Sequence, residues 1–137
     1  MESRKFEIYN AILNALKTLE GVEIVEGHPT AGNRQLVKQK VLGLSLGNES
    51  WSETQRPHCK LTLWVDCFYK NAYREFADFL EFEEQVIRVL LSNWDYNLDY
   101  VKASYVENIT TDEGFLTPHG SFHIEIRVEY FRDVRET

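Results

Sequence analysis

The pattern of apolar and polar residues is most informative between Cys59 and Leu91, where one period gives way to another. Residues 59–69 alternate strictly, which predicts a half-buried strand. The residues on its inward parity are Cys59, Leu61, Leu63, Val65, Cys67 and Tyr69. From Phe76 onward the period changes to 3.6 residues, which predicts a helix over Phe76–Leu91.

This second helix is more apolar than a surface helix of a monomer needs to be. Its apolar arc spans roughly 200°, whereas about 100° or somewhat more is sufficient for one contact. The arc contains Phe76, Phe79, Leu80, Phe82, Val86, Ile87, Val89, Leu90 and Leu91. We therefore expect one side of the helix to pack on the protein's own sheet and another to contact a second copy of the chain.

The remaining periodic segments extend this strand–helix pair into a single domain, residues 1–137. Local patterns and turn signals predict a helix over Ser3–Leu19 with Ser3 as N-cap, and strands over Val22–Val25, Leu36–Leu46, Cys59–Tyr69, Leu98–Val106 and Ser121–Phe131. The order is α-β-β-β-α-β-β. It predicts an α+β fold with two helices packed on a mainly antiparallel sheet.

Two polar connections stand out as candidate contact loops. Gly27–Asn33 is rich in turn-forming residues. Gly47–His58 is predicted to join two strands, although hairpin loops usually run two to five residues, so its length invites a functional explanation. Trp51 lies within it, and a large aromatic in a polar loop more often anchors a contact than stays free.

Composition and charge narrow the functional classes. The chain has 137 residues, 43% of them hydrophobic and 27% charged, which is ordinary for a globular domain. A net charge of −7 argues against a nucleic-acid-binding surface. The opening residues do not resemble a signal peptide and no apolar run is long enough to span a membrane. Cys59 and Cys67 share an inward parity, which predicts buried thiols in a reducing compartment.

Candidate catalytic and ligand-binding motifs lack the context that their chemistry needs. Gly43–Gly47 matches the G-x-S-x-G nucleophile elbow, but a strand and a polar loop follow where that motif requires a helix. His119 and His123 could be paired with His58 and Cys59 as metal ligands, but zinc sites use close pairs such as C-x2–4-C, and neither cysteine has a near Cys neighbour. Glycine-rich phosphate-binding motifs are missing. Nothing in the chain therefore assembles a recognisable active site, and we predict no catalytic, metal-binding or cofactor-binding residues.

Glu83 is the polar residue that needs an explanation, because the helical period places it inside the apolar arc. A carboxylate there must find a partner or become protonated, since a buried unpaired charge is costly. Three interpretations compete: an acid–base residue with a raised pKa, an ion pair within the subunit, or an ion pair across a subunit interface. The two pairing interpretations are favoured, because no histidine or second acid accompanies Glu83 in its own segment in a catalytic pattern.

The element order and three stretches of sequence resemble the tail terminator, or tail completion, proteins of long-tailed bacteriophages. The family's opening helix and short strand are similar to the stretch LNALKTLEGVEIVEGHP. Its central strand and helix are similar to the stretch LTLWVDCFYKNAYREFADFLEFEEQVIRVL. Its closing hairpin is resembled by VKASYVENITTDEGFLTPHGSFHIEIRVEYF. The likeness covers most of the chain and is one of pattern and order, since the family has no invariant catalytic signature.

The resemblance implies a structural virion protein without enzymatic activity. Such proteins form hexameric rings at the head-proximal end of the tail, cap the tail tube, stop its polymerisation and provide the surface on which the head docks. The implied partners are further copies of the chain, the tail tube protein and a head-completion or connector protein. Assembly would take place in the host cytoplasm, and DNA would pass through the lumen without specific binding.

These implications assign candidate contact residues. In a closed ring the interface is heterologous, so one patch must meet a different patch on the neighbour. The predicted subunit interface comprises Trp51, Trp64, Phe68, Phe82 and Glu83. The predicted tail or head contacts, in or next to the two polar loops, are His28, Pro29, Asn33, Arg34, Glu49, Glu53 and Arg56.

Two alternatives stay open. A head–tail connector or another tail ring protein could share the fold but occupy a different position, and arrest of tube extension in vitro would distinguish a terminator from it. A small enzyme or ligand-binding domain using Glu83 and a histidine belongs to another class. A monomer with a ligand-dependent melting temperature would favour that alternative.

Overall fold

Residues 3–27, 39–52 and 58–131 are described by the computed structural model of the protein. They form two α-helices and a five-stranded sheet in the order α-β-β-β-α-β-β, which confirms the predicted α+β fold. The helices are α1 (Arg4–Leu16) and α2 (Phe76–Leu91), and a short 3-10 turn (Ala72–Arg74) precedes α2. The strands are β1 (Val22–Glu26), β2 (Lys40–Ser52), β3 (His58–Tyr69), β4 (Val101–Thr111) and β5 (Gly120–Phe131).

β3 is the central strand of the sheet, whose strand order is β1-β2-β3-β5-β4. β5 pairs antiparallel with β3 along its whole length, from His58 opposite Phe131 to Tyr69 opposite Gly120. β2 and β4 also run antiparallel to their neighbours, while β1 pairs parallel with β2. In the described part of the chain, β1 and β4 are therefore the two edges of a mainly antiparallel sheet.

The hydrophobic core lies between one face of this sheet and the two helices. The predicted alternation of β3 is confirmed, since its odd-numbered residues are buried, and β5 contributes its even-numbered residues from Phe122 to Tyr130 to the same core. Cys59 and Cys67 are both buried, as predicted. Burial raises the pKa of the Cys67 thiol well above its usual value, with smaller contributions from nearby carboxylates.

β2 is longer than its apolar pattern predicts. The pattern predicts a strand over residues 36–46 and a polar loop over 47–58, whereas β2 continues to Ser52 and β3 follows directly after residues 53–57. A bulge between Leu46 and Glu49 shifts the register and the pairing with β3 then resumes. The prediction of a long loop is wrong because main-chain hydrogen bonds to β3 hold this end of β2, and they need no apolar side chains.

The first helix begins as predicted and ends earlier. Ser3 is its N-cap, with a hydroxyl that accepts a hydrogen bond from the main-chain N–H of Phe6 at 3.1 Å. α1 ends at Leu16 rather than Leu19, and a turn leads to Gly21, which has a φ of 72°. Glycine adopts this left-handed conformation without the steric cost that other residues pay, so the chain can turn into β1 there.

β4 is displaced toward the C-terminus relative to its predicted range, residues 98–106. The strand begins at Val101 because Tyr96 and Asn97 both adopt left-handed conformations, with φ values of 52° and 60°, and hold the preceding segment in a turn. It then extends to Thr111, again through pairing with β5 rather than through apolar alternation. Two bulges interrupt this pairing, one of them after Val101.

Candidate functional site

α2 presents one apolar face to the sheet. The buried residues of this face are Phe79, Phe82, Val86 and Leu90. The ring of Phe82 lies 6.0 Å from that of Tyr69 and 5.5 Å from that of Phe122, centroid to centroid, and its side chain has no exposed surface. The prediction that Phe82 belongs to a subunit interface is therefore wrong, because its ring is enclosed by the protein's own core.

A second apolar surface, which we call the apolar stripe, runs along another side of α2. It consists of Phe76, Leu80, Ile87 and Leu91, whose spacing places them on one side of a helix. Three of them are 45–47% exposed, while Ile87 is partly buried. The exposed ring of Tyr73 stacks on Phe76 at a centroid distance of 5.4 Å and lengthens the stripe. α2 thus carries more apolar surface than the described part of the chain covers.

Glu83 lies within the apolar stripe, between Leu80 and Ile87. Its carboxyl group is half-buried, and this burial raises its pKa above the usual value, with a further contribution from the charge of Glu84. No residue in the ranges 3–27, 39–52 and 58–131 forms an ion pair with Glu83. An ion pair within the subunit, one of the interpretations of this residue, is therefore not found in that part of the structure.

Glu83 and the described histidines lie on opposite faces of the sheet. Glu83 is on the helix-covered face, where its charge acts on the buried Cys67 thiol. His58 and His123 occupy outward-facing positions of β3 and β5, and the ring of His119 lies 5.6 Å from an outward-facing aromatic ring of β3. A site that combines Glu83 with one of these histidines is therefore not formed.

A further side of α2 borders a cleft, which we call the α1–α2 cleft, between the C-terminal end of α1 and the start of β2. The cleft has a volume of about 380 Å³ and is lined by Thr18, Leu19, Glu20, Lys40, Gln85, Arg88 and Val89. The ammonium group of Lys40 lies 5.7 Å from the ring of Phe82 and 5.8 Å from that of Tyr69, a cation–π arrangement beneath the helix. Arg88 is exposed at the rim. The cleft therefore combines apolar walls with two cations.

The sheet face turned away from the helices carries Trp64 and Phe68, which are both half-buried. Between them, Asp66 lies directly opposite His123 of β5, with 2.6 Å between Oδ1 and Nδ1. The indole of Trp64 lies 5.9 Å from the imidazole of His123, centroid to centroid. A cavity of about 360 Å³ next to this pair is lined by Asp66, Cys67, Phe68, Thr110, Thr111, Asp112, Leu116, Ser121, Phe122 and His123. Trp64 and Phe68 therefore belong to a mixed aromatic and charged face, and their role in a subunit interface stays a prediction.

Sequence reasoning missed the pair formed by Asp66 and His123. Both residues fall on the outward parity of their strands, which the alternation indicates. However, the strands are separated along the chain by α2 and β4, and nothing in their local pattern shows that β5 pairs with β3 in this register. The sequence therefore indicates that Asp66 and His123 each face outward, but it does not indicate that they lie close together.

Glu49 was predicted to lie in a contact loop, but it belongs to β2 and joins that strand to α1. It forms an ion pair with Lys5 and accepts a hydrogen bond from the hydroxyl of Tyr130 at 3.2 Å. Burial alone would raise the pKa of Glu49, but the hydrogen bond and charge of Lys5, with hydrogen bonds from Cys59 and Tyr130, lower it below its usual value. Trp51, two residues further along, is 52% exposed.

The other predicted tail or head contacts lie outside the described residues. They are His28, Pro29, Asn33, Arg34, Glu53 and Arg56. Their contacts stay predictions from the sequence.

The motifs with candidate chemistry are placed as follows. Ser45 of the G-x-S-x-G motif lies within β2 opposite Trp64, so the turn into a helix that a nucleophile elbow requires is not formed. In the described part of the chain, no group of three or more His, Cys, Asp or Glu side chains could hold a metal ion. The same residues contain no helix that is long and apolar enough to cross a membrane.

No family model and no curated protein matches the chain. The surfaces described above are therefore the basis for a functional proposal, together with the fold. Among them, the apolar stripe leaves three large apolar side chains of one helix about half exposed.

Proposed function

We propose that this protein is a structural, ring-forming component of a bacteriophage tail: a tail terminator that caps the tail tube, stops its polymerisation and provides the surface on which the head docks. The observation that carries the proposal is the apolar stripe, which leaves three large side chains of α2 about half exposed. Single exposed apolar residues are normal on a surface, whereas a continuous row of them marks a protein contact. Neighbouring copies in a ring would cover this row.

The apolar stripe by itself is too small to hold two subunits together. Complete burial of a Leu or Phe side chain contributes about 1.5–3 kcal/mol, so covering the exposed halves of Phe76, Leu80 and Leu91 contributes on the order of 1 kcal/mol each. Association costs an estimated 4–15 kcal/mol in lost freedom of motion, so the stripe needs further contacts around it. In a closed ring every subunit makes two such contacts, and no apolar stripe is left uncovered.

In this proposal the protein is a homo-oligomer, a hexameric ring at the head-proximal end of the tail, assembled in the host cytoplasm. It contacts the tail tube protein on one side and a head-completion or connector protein on the other, and it has no catalytic role. The net charge of −7 suits a lumen through which DNA passes without specific binding, because carboxylates repel phosphates.

The oligomeric state of a stripe variant tests the proposal. Leu80→Glu places a charge in the apolar stripe, and Glu81→Lys changes a charge at an exposed position of the same helix, outside the stripe. We expect sedimentation and negative-stain images to show rings for the native protein and for Glu81→Lys, but monomers for Leu80→Glu. Circular dichroism should show that both variants are folded. A native protein that stays monomeric at high concentration would refute the proposal.

A second measurement tests the position in the virion. Tail tube protein polymerising in vitro should stop extending when the native ring is added, and it should continue when the Leu80→Glu variant is added. Rings that leave tube extension unchanged would favour the alternative of a head–tail connector or another tail ring protein.

One observation favours a second candidate function, a small ligand-binding domain. The cavity beside Asp66 and His123 falls in the lower part of the usual size range for ligand sites, and it combines apolar walls such as Phe68 and Leu116 with a few polar groups. A monomeric protein whose melting temperature rises with a small ligand, and no longer does so in His123→Ala, would support this candidate over the ring.

A further inference from the structure

Two sides of α2 differ in charge as well as in shape. The apolar stripe contains one acid, Glu83, with the exposed Glu84 next to it. The α1–α2 cleft is lined by two cations, Lys40 and Arg88, and by a single acid, Glu20. The stripe is therefore negatively charged at its centre, and the cleft carries a net positive charge.

The two surfaces also face in different directions. At 3.6 residues per turn, Ile87 of the stripe lies roughly 160° from Val89 and roughly 100° from Arg88 of the cleft around the helix axis. The cleft side of α2 faces the end of α1, and the helical period places the stripe on a different side of the helix. Closed rings need this arrangement, because each subunit must offer two different patches to neighbours on its two sides.

We infer that the apolar stripe of one copy docks into the α1–α2 cleft of a second copy, with Glu83 of the first beside Arg88 of the second. Leu80 and Ile87 of the stripe then pack against Leu19 and Val89, the apolar walls of the cleft. This inference rests on the proposed ring and assigns the two surfaces by which its subunits meet.

The cleft of a second copy is a more favourable partner for the stripe than an uncharged surface, because the cleft supplies a cation for Glu83. Glu83 is already half-buried, and covering the stripe removes it further from water, which is costly for a carboxylate without a partner. Arg88 is exposed and, like Glu83, forms no ion pair among residues 3–27, 39–52 and 58–131. Docking brings the two charges together. It also fixes the direction of assembly, because a stripe facing another stripe would oppose two carboxylates.

A charge-swap experiment tests the pairing. Glu83→Arg and Arg88→Glu are made singly and together, with Glu81→Arg as a matched control on an exposed part of α2 outside both surfaces. Sedimentation measures the dissociation constant of the assembly, and urea unfolding at low concentration confirms that each variant is folded. We expect each single variant to assemble at least about thirtyfold more weakly, the double variant to recover most of this loss, and Glu81→Arg to match the native protein.

Mixing the two single variants adds a test that depends on the head-to-tail arrangement. In an alternating ring of the two variants, one kind of contact joins the native stripe of Arg88→Glu to the native cleft of Glu83→Arg. The other kind joins the two substituted surfaces, where the arginine introduced at position 83 of one subunit faces the glutamate introduced at position 88 of the next. The mixture should therefore assemble more tightly than either variant alone. Glu83→Gln and Arg88→Gln, which remove a charge without reversing it, should show smaller losses.

The possible outcomes separate this inference from the proposed function. Rings that form equally well in both single variants would overturn the docking of stripe into cleft and leave the ring itself standing. Single variants that fail to assemble without recovery in the double variant or in the mixture would overturn the pairing of Glu83 with Arg88. A native protein that never assembles would overturn the inference and the ring together.

Discussion

Replacing Phe82 by alanine tests whether the buried and the exposed apolar residues of α2 have different roles. Phe82 has no exposed surface and lies among Tyr69, Phe122 and the ammonium group of Lys40, at 6.0, 5.5 and 5.7 Å from its ring. Phe→Ala substitutions in cores cost about 3–5 kcal/mol, and the aromatic and cation–π contacts place this site in the upper half of that range. We therefore expect Phe82→Ala to lower the free energy of unfolding by about 4 kcal/mol.

Urea unfolding at low protein concentration, where the proposed ring would be dissociated, measures this loss. Because the slope of unfolding free energy against urea is about 1–3 kcal/mol per molar for small proteins, the midpoint should fall by roughly 2 M. Leu80→Ala is the matched control: its side chain is 45% exposed, so we expect a loss below about 1 kcal/mol at low concentration and weaker assembly at high concentration. Equal losses in the two variants, or a loss in Phe82→Ala that grows with protein concentration, would refute the assignment of Phe82 to the core.

Three further predictions concern packing and protonation. Gly120→Ala should lower the free energy of unfolding by about 1–3 kcal/mol in urea titrations, because a Cβ atom there would lie 2.8 Å from that of Ala72. The lowered pKa of Glu49 means that its contribution to stability is lost as pH falls below about 4.5, so Glu49→Gln should flatten the acid side of the urea midpoint measured against pH. The raised pKa of Glu83 has the opposite sign, and Glu83→Gln should make the monomer more stable at neutral pH while it weakens assembly.

Each of these predictions has an outcome that contradicts it. For Gly120→Ala it is an unchanged urea midpoint, with Ser121→Ala as the neighbouring control. For Glu49→Gln it is an acid-induced loss of stability as large as that of the native protein. For Glu83→Gln it is a monomer less stable than the native one at pH 7, which would mean that the carboxylate has a favourable partner within the chain.

Local periodicity is the feature of this fold that the sequence predicts. The alternation of β3 and β5 and the 3.6-residue period of α2, with bounds Phe76–Leu91, each depend on residues close together in the chain, so a sequence window contains the whole signal. The same holds for the width of the apolar arc of α2, which indicated more apolar surface than one contact uses. The sequence therefore predicted that α2 has additional apolar surface, but it did not predict which residues form the stripe.

Pairing between distant segments is what only the tertiary structure decided. The full length of β2, the ion pair of Glu49 with Lys5 and the proximity of Asp66 to His123 all depend on which strands and helices meet, and in which register. Main-chain hydrogen bonds hold such pairings and carry no residue-specific signal, so the polar end of β2 resembled a loop. Similarly, an apolar arc does not show which of its residues the chain itself will cover. That depends on where the sheet and α1 lie, and it placed Phe82 in the core and left Leu80 half exposed.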